Sequence, residues 1–125
     1  RPWQHVLDPL NGYLMLAAKM AEDAVKYAQG YNFGPEPDDE RNVIDMVKKA
    51  IECWGEGSFE TPEIADKPHE AGLLKLSIDK AKSELGWSPR FDSAEAVKWT
   101  MDWYKNAPGN ELEFTKKQIN EFFTA

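Results

Sequence analysis

Two short stretches of this sequence carry side chains suited to chemistry. One is Arg1-Pro2-Trp3-Gln4-His5-Val6, and the other is Lys67-Pro68-His69-Glu70-Ala71. Arg1 precedes a proline, which biases it toward extended backbone. An extended Arg can present its planar fork to a phosphate through two parallel hydrogen bonds. It can equally be an ordinary surface cation, and Trp3 can either stack on a ligand or simply pack. Lys67 and His69 can supply cationic or donor groups, and Glu70 can accept from a sugar or ribose hydroxyl. A solvated loop with no ligand reads as well from the same letters.

Other chemical patterns do not occur. No Gly-x-Gly-x-x-Gly turn follows a strand pattern, so there is no dinucleotide fingerprint. There is no phosphate loop, no Gly-x-Ser-x-Gly elbow and no Tyr followed four positions on by Lys. The two histidines, His5 and His69, sit in different segments. No residue is therefore assigned a catalytic role and none a metal. The acidic run Glu36, Asp38, Asp39, Glu40 can be read as a cation site or as a helix start. It lacks the alternation and central Gly of a calcium loop, and negative charge complements a helix N-terminus. Cys53 is the single cysteine, so no disulfide forms within the chain. Its apolar neighbours predict a buried thiol.

With 22 acids against 15 bases the formal charge is −7, which excludes a general nucleic-acid binder. A local pair of cations would still serve a small anionic ligand. Hydrophobic residues make up 42% of the chain and include five Trp, six Phe and four Tyr, enough for a real core. No apolar run approaches the ~18 residues a membrane span needs, and no signal peptide is seen, so a cytoplasmic, non-membrane protein is expected. The 125 residues amount to one domain or less. The chain opens on Arg rather than Met, as an excised piece or truncated product would.

These residues must be positioned by elements read from periodicity. Leu7, Leu10, Leu14, Ala17, Ala21, Ala24 and Ala28 predict a helix with a broad apolar face, stopped by Gly30. Tyr31–Phe33 reads as a short strand. Asp38 or Asp39 is expected to cap a helix running from Val43 to Trp54. Ser58–Thr61 and Leu74–Ser77 read as further short strands around a Pro62–Gly72 loop. Asp79–Leu85 is a short helix closed by Gly86. Asp92-Ser93-Ala94-Glu95 is a capping box opening another helix, and residues 108–125 form a C-terminal helical tail. The expected class is α/β, rich in helix, with few short strands.

The ordered series RPWQHVLDPLNGYLMLA, YNFGP and PHEAGLLKLSIDKAKSELGWSP resembles the C-terminal part of the CDP-glucose 4,6-dehydratase family. That family is a branch of the extended short-chain dehydrogenases/reductases that act on nucleotide-sugars. The resemblance covers nearly the whole chain, least so its last residues. It implies a single partial domain over 1–125, the substrate-binding portion, with the Rossmann half missing. In the family, NAD takes a hydride from C4 of the glucose ring, water is lost across C5 and C6, and the hydride returns to C6. NAD and the reacting groups would lie in the missing half, so no cofactor and no activity are expected of this chain alone.

What the resemblance implies for sites is a CDP-sugar-binding surface. Arg1 matches the family Arg facing the pyrophosphate, and Asn32 and Phe33 match the strand that approaches the nucleotide. Lys67 stands where related dehydratases carry a second phosphate-facing Arg, without its fork. His69 and Glu70 match a His-Glu pair near the ligand. CDP-sugar binding in isolation is expected to be weak, since most of a closed pocket would be absent. A strand and an apolar helix stripped of their sheet would need cover. Self-association through the Leu7–Ala28 helix and the Tyr31–Phe33 strand is therefore expected, unless that strand pairs within the chain. Two other readings are a truncated paralogue serving as an interaction or regulatory module, and a fragment of a related nucleotide-sugar epimerase.

Overall fold

The computed structural model describes residues 1–66 and 72–124. Helix α1 spans Leu7–Glu22, α2 spans Ala24–Tyr27, α3 spans Val43–Trp54, α4 spans Ser93–Asn106 and α5 spans Glu111–Thr124, with a π-helical turn at Ala81–Leu85 between α3 and α4. Among the described residues there is no strand. The expectation of a helix-rich chain holds, while the few short strands expected with it are not formed among the described residues. Tyr31–Phe33, Ser58–Thr61 and Leu74–Ser77 form no ladder. Alternating side chains favour an extended backbone, but a strand exists only where a second one supplies its hydrogen bonds.

The long first helix is also shorter than its apolar period suggests. Asp23 interrupts it with extended backbone (φ −151°, ψ 91°), and its side chain accepts from the Lys26 backbone N–H at 3.0 Å. Asp competes well for such local bonds and caps a new turn more readily than it sits inside a helix. The cap of α3 is a second correction. Asn42, not Asp38 or Asp39, accepts from the Asp45 N–H at 2.9 Å, and the Asp45 carboxylate accepts from the Asn42 N–H at 3.3 Å. Asp39 is drawn elsewhere, accepting from both the backbone N–H and the hydroxyl of Ser93. The box at Asp92 and Glu95 forms as expected, with bonds of 2.8 and 3.3 Å. Gly55 (φ 101°) and Gly86 (φ 69°) end α3 and the π turn in the left-handed region that glycine tolerates.

The core gathers where α1, the extended stretch after α2 and the π turn meet. Tyr27, Phe33, Ile78, Ala81, Leu85 and Trp87 are buried there, with Met15, Leu16 and Tyr31 packed against them. Phe33 lies edge-on to Trp87 at 5.0 Å and to Tyr13 at 5.8 Å. Its ring passes directly over Gly12, where a Cβ would fall 2.5 Å from ring carbons. A second set joins the first across Asp8. His5, Phe91, Trp99 and Phe122 stack edge to face, with Ala96 and Ala107 buried nearby. The helix α3 packs on α4 but buries no residue completely, and Cys53 is half-buried rather than in the core.

Along α1 and the residue before it, Val6, Leu10, Tyr13 and Leu14 are all well exposed. Ala17, Ala18 and Ala21 extend the stripe without a charge. Among the described residues, no helix is long and apolar enough to cross a membrane.

Candidate functional site

The extended N-terminal segment is held at several points by its own side chains. Trp3 donates its indole N–H to the Arg41 carbonyl at 2.9 Å. Gln4 donates its amide N–H to the Phe33 carbonyl at 3.0 Å. Leu7 donates its backbone N–H to His5 Nδ1 at 3.2 Å. The segment enters α1 against Asp8, which is fully buried. Both Asp8 carboxylate oxygens accept backbone bonds, from Arg90 at 2.8 Å and Phe91 at 3.3 Å. Its carbonyl accepts the Trp87 indole N–H at 3.0 Å. Burial pushes the Asp8 carboxyl above the usual carboxylate value, against the two backbone bonds and the nearby Arg90 charge, which pull it down.

This bonding brings two of the expected site stretches together. Arg1 and Asn32 are both exposed, and the Gln4–Phe33 bond ties the strap that carries Arg1 to the stretch that carries Asn32. Phe33 itself is a core residue, only 8% exposed, so it positions its neighbours from below and presents no ring to solvent. Lys67, His69 and Glu70 lie outside the described residues.

The following segment, 36–41, is acidic but largely neutralised. Glu36 pairs with Lys82 at 2.7 Å, Glu40 with Lys75 at 3.5 Å, and Asp39 with Arg41 at 3.7 Å. Negative charge beside the Arg1 strap is therefore offset locally, which eases the approach of an anionic ligand. Among the described residues no group of three or more His, Cys, Asp or Glu converges to hold a metal ion.

Sequence reasoning missed Gln4 and Arg41. The partner of Gln4 is a backbone carbonyl 29 residues away. Such a carbonyl leaves no mark in the sequence. Arg41 matters through its own carbonyl, which any residue would provide. A nicotinamide dinucleotide takes a glycine-rich turn between a strand and a helix N-terminus. Among the described residues, Gly55 and Gly86 close helical turns, and no strand feeds a glycine-rich turn at a helix N-terminus. What the strap can offer is recognition: a guanidinium, an exposed amide and backbone groups on a rigid support.

No family model matches the chain. Curated proteins do. Along its full length the chain is 36% identical to the CDP-glucose 4,6-dehydratase of Salmonella typhimurium, covering 35% of that protein. It is 28% identical over 85% of its length to a dTDP-glucose 4,6-dehydratase of Streptomyces antibioticus. It is likewise 28% identical over 86% of its length to UDP-glucose 4-epimerase 3 of Oryza sativa. The chain spans about a third of the length of these relatives, 35%, 30% and 28% respectively. The resemblance read from the motifs is thus borne out: the chain is related along its full length to a CDP-glucose 4,6-dehydratase, and over about 85% of it to other nucleotide-sugar dehydratases and an epimerase of the same superfamily.

Proposed function

We propose that this chain is the nucleotide-sugar-binding portion of a CDP-glucose 4,6-dehydratase-like enzyme, the C-terminal part by its motifs. Arg1 faces the pyrophosphate, Asn32 borders the nucleotide, and Lys67, His69 and Glu70 serve the same ligand. NAD and the groups that move hydride and protons belong to residues outside these 125. The chain alone binds a CDP-sugar weakly and does not transform it. One observation carries this reading: the 36% match to a CDP-glucose 4,6-dehydratase runs through every segment of the chain. The bond from Gln4 to Phe33 supports it, since it holds the Arg1 and Asn32 stretches on one support.

Calorimetry with CDP-glucose tests the reading. Saturable binding of about millimolar strength is expected, with ADP-glucose weaker and Arg1→Ala weaker still. No 4-keto sugar should form, with or without added NAD. Turnover by the isolated chain, or indifference to Arg1→Ala, overturns it.

The same reading leaves the Val6, Leu10, Tyr13, Leu14 stripe in need of cover, and self-association through α1 and the adjoining Tyr31–Phe33 stretch provides it. The exposure of those four side chains supports this. Sedimentation should show a concentration-dependent dimer that Leu14→Glu dissolves. A monomer at all concentrations that binds no hydrophobic dye counts against it.

A further inference from the structure

The strap that carries Arg1 hangs on the carbonyl of Arg41, which accepts the Trp3 indole N–H at 2.9 Å. Where that carbonyl sits is set from both sides. After it, the Asn42–Asp45 box fixes the start of α3. Before it, Asp39 ties the loop to the first turn of α4. One Asp39 oxygen accepts the Ser93 hydroxyl at 2.7 Å, and the other accepts the Ser93 backbone N–H. Ser93 is only 3% exposed and the Asp39 side chain 10%, so water competes little for either bond.

The loop's other side-chain ties are weaker. The Glu36–Lys82 and Glu40–Lys75 pairs join side chains that are 37% to 51% exposed. Exposed pairs of this kind contribute little. The Asp39 bonds to Ser93 are charge-assisted and nearly buried, a class about twice as strong as neutral hydrogen bonds. Of these three acids, Asp39 therefore decides where the loop lies, and with it the Arg41 carbonyl two residues on.

We propose that Asp39 is a positioning residue for ligand binding: anchored on Ser93, it sets the Arg41 carbonyl and, through Trp3, the strap that carries Arg1. Its use for a ligand rests on the sugar-nucleotide reading above, whereas its hold on the strap does not. The sign of its effect separates positioning from plain electrostatics. Asp39 lies in one crevice with Pro2 of the strap. Removing an acid there favours an anionic ligand by charge alone, while losing the anchor disfavours it.

The test compares Asp39→Ala and Asp39→Asn in the 125-residue chain, with Glu40→Gln as control. Each removes one negative charge. Asn keeps an oxygen for the Ser93 N–H and an amide for the Ser93 hydroxyl, so only Ala loses the anchor. The Trp3 indole N–H is followed by NMR shift and hydrogen exchange. The indoles of Trp87 and Trp103, bonded to the Asp8 carbonyl and to Thr115, report an intact fold. In Asp39→Ala the Trp3 signal moves and exchanges faster while the other two stay, and CDP-glucose affinity falls about five-fold. In Asp39→Asn and Glu40→Gln the Trp3 signal stays, and affinity is kept or raised. If Asp39→Ala does not fold, Ser93→Ala, which loses only the hydroxyl bond, must move the Trp3 signal. An unmoved Trp3 signal in the folded alanine variant, an equal movement in Asp39→Asn or Glu40→Gln, or tighter CDP-glucose binding by Asp39→Ala overturns the proposal. If the parent chain binds no CDP-glucose, the sugar-nucleotide reading falls, and the Trp3 signal still decides whether Asp39 sets the strap.

Discussion

The side-chain amide of Gln4 donates to the carbonyl of Phe33 at 3.0 Å, across 29 residues of chain. The bond joins the strap that carries Arg1 to the stretch that carries Asn32. Gln4→Ala should cost about 1 kcal/mol of stability, the net worth of one such bond, read by urea denaturation. Its effect on CDP-glucose binding should be larger in proportion, because two ligand-facing stretches lose their common register. Gln4→Glu should be worse than Gln4→Ala, since it sets a carboxylate against a carbonyl oxygen. Equal stability and equal calorimetric affinity in all three proteins would show that the strap is held without Gln4.

Gly12 and Phe33 form the closest approach in the core. A Cβ at Gly12 would meet ring carbons of Phe33 at 2.5 Å, which real side chains do not tolerate. Gly12→Ala gains in helix propensity yet should lose roughly 1–3 kcal/mol net through overpacking. Phe33→Leu in the same chain should recover part of that loss. A double-mutant cycle by thermal or chemical unfolding gives the coupling. Additive effects would mean that the ring swings clear at no cost.

The elements most readable in the sequence were those whose signals are local. The Asp92–Glu95 box, the helix it opens, and the Gly55 and Gly86 stops depend on residues within a turn of one another. The strands were misread because a strand depends on a distant partner. Tyr31-Asn32-Phe33 has the alternation, but Phe33's carbonyl is met by a side-chain amide rather than a neighbouring strand. The break at Asp23 was hidden by an apolar period that continues through Ala24 and Ala28. Within the candidate site, Arg1 and Asn32 are singled out by the resemblance of their motifs alone. Gln4 is not, because its partner is a backbone carbonyl 29 residues away.

Asp8 anchors the return of the chain at Trp87–Phe91. It is fully buried, yet it accepts backbone bonds from Arg90 and Phe91 and, through its carbonyl, the Trp87 indole N–H. Asp8→Ala leaves two backbone donors without acceptors and opens a small void, so a loss of about 3 kcal/mol or more is expected. Trp87→Phe keeps most of the packing and loses the indole bond and some volume, for a smaller cost. Because burial holds the Asp8 carboxyl above its ordinary value of 3.8, the native state binds this proton more tightly than the unfolded chain. The resulting stabilisation is full below 3.8 and is lost as pH rises through the raised native value. Measured against pH, the stability gap between parent and Asp8→Ala should therefore widen on acidification.

His5 has the opposite sign and a different window. Burial against Phe91 and Trp99 lowers its pKa below 6.5, and the Leu7 N–H occupies Nδ1 of the neutral ring. The unfolded chain thus takes up this proton before the native state does. Stability from the neutral ring is complete above 6.5 and falls as pH drops through the lowered native value. His5→Phe keeps an aromatic ring between Phe91 and Trp99 but cannot titrate. Urea midpoints of the two proteins should keep a constant offset from pH 8 to 7, then converge as pH falls below about 6.5. A constant offset down to pH 5 would mean the ring protonates as easily folded as unfolded. Protonation would instead break the bond from the Leu7 N–H, because the added proton occupies Nδ1.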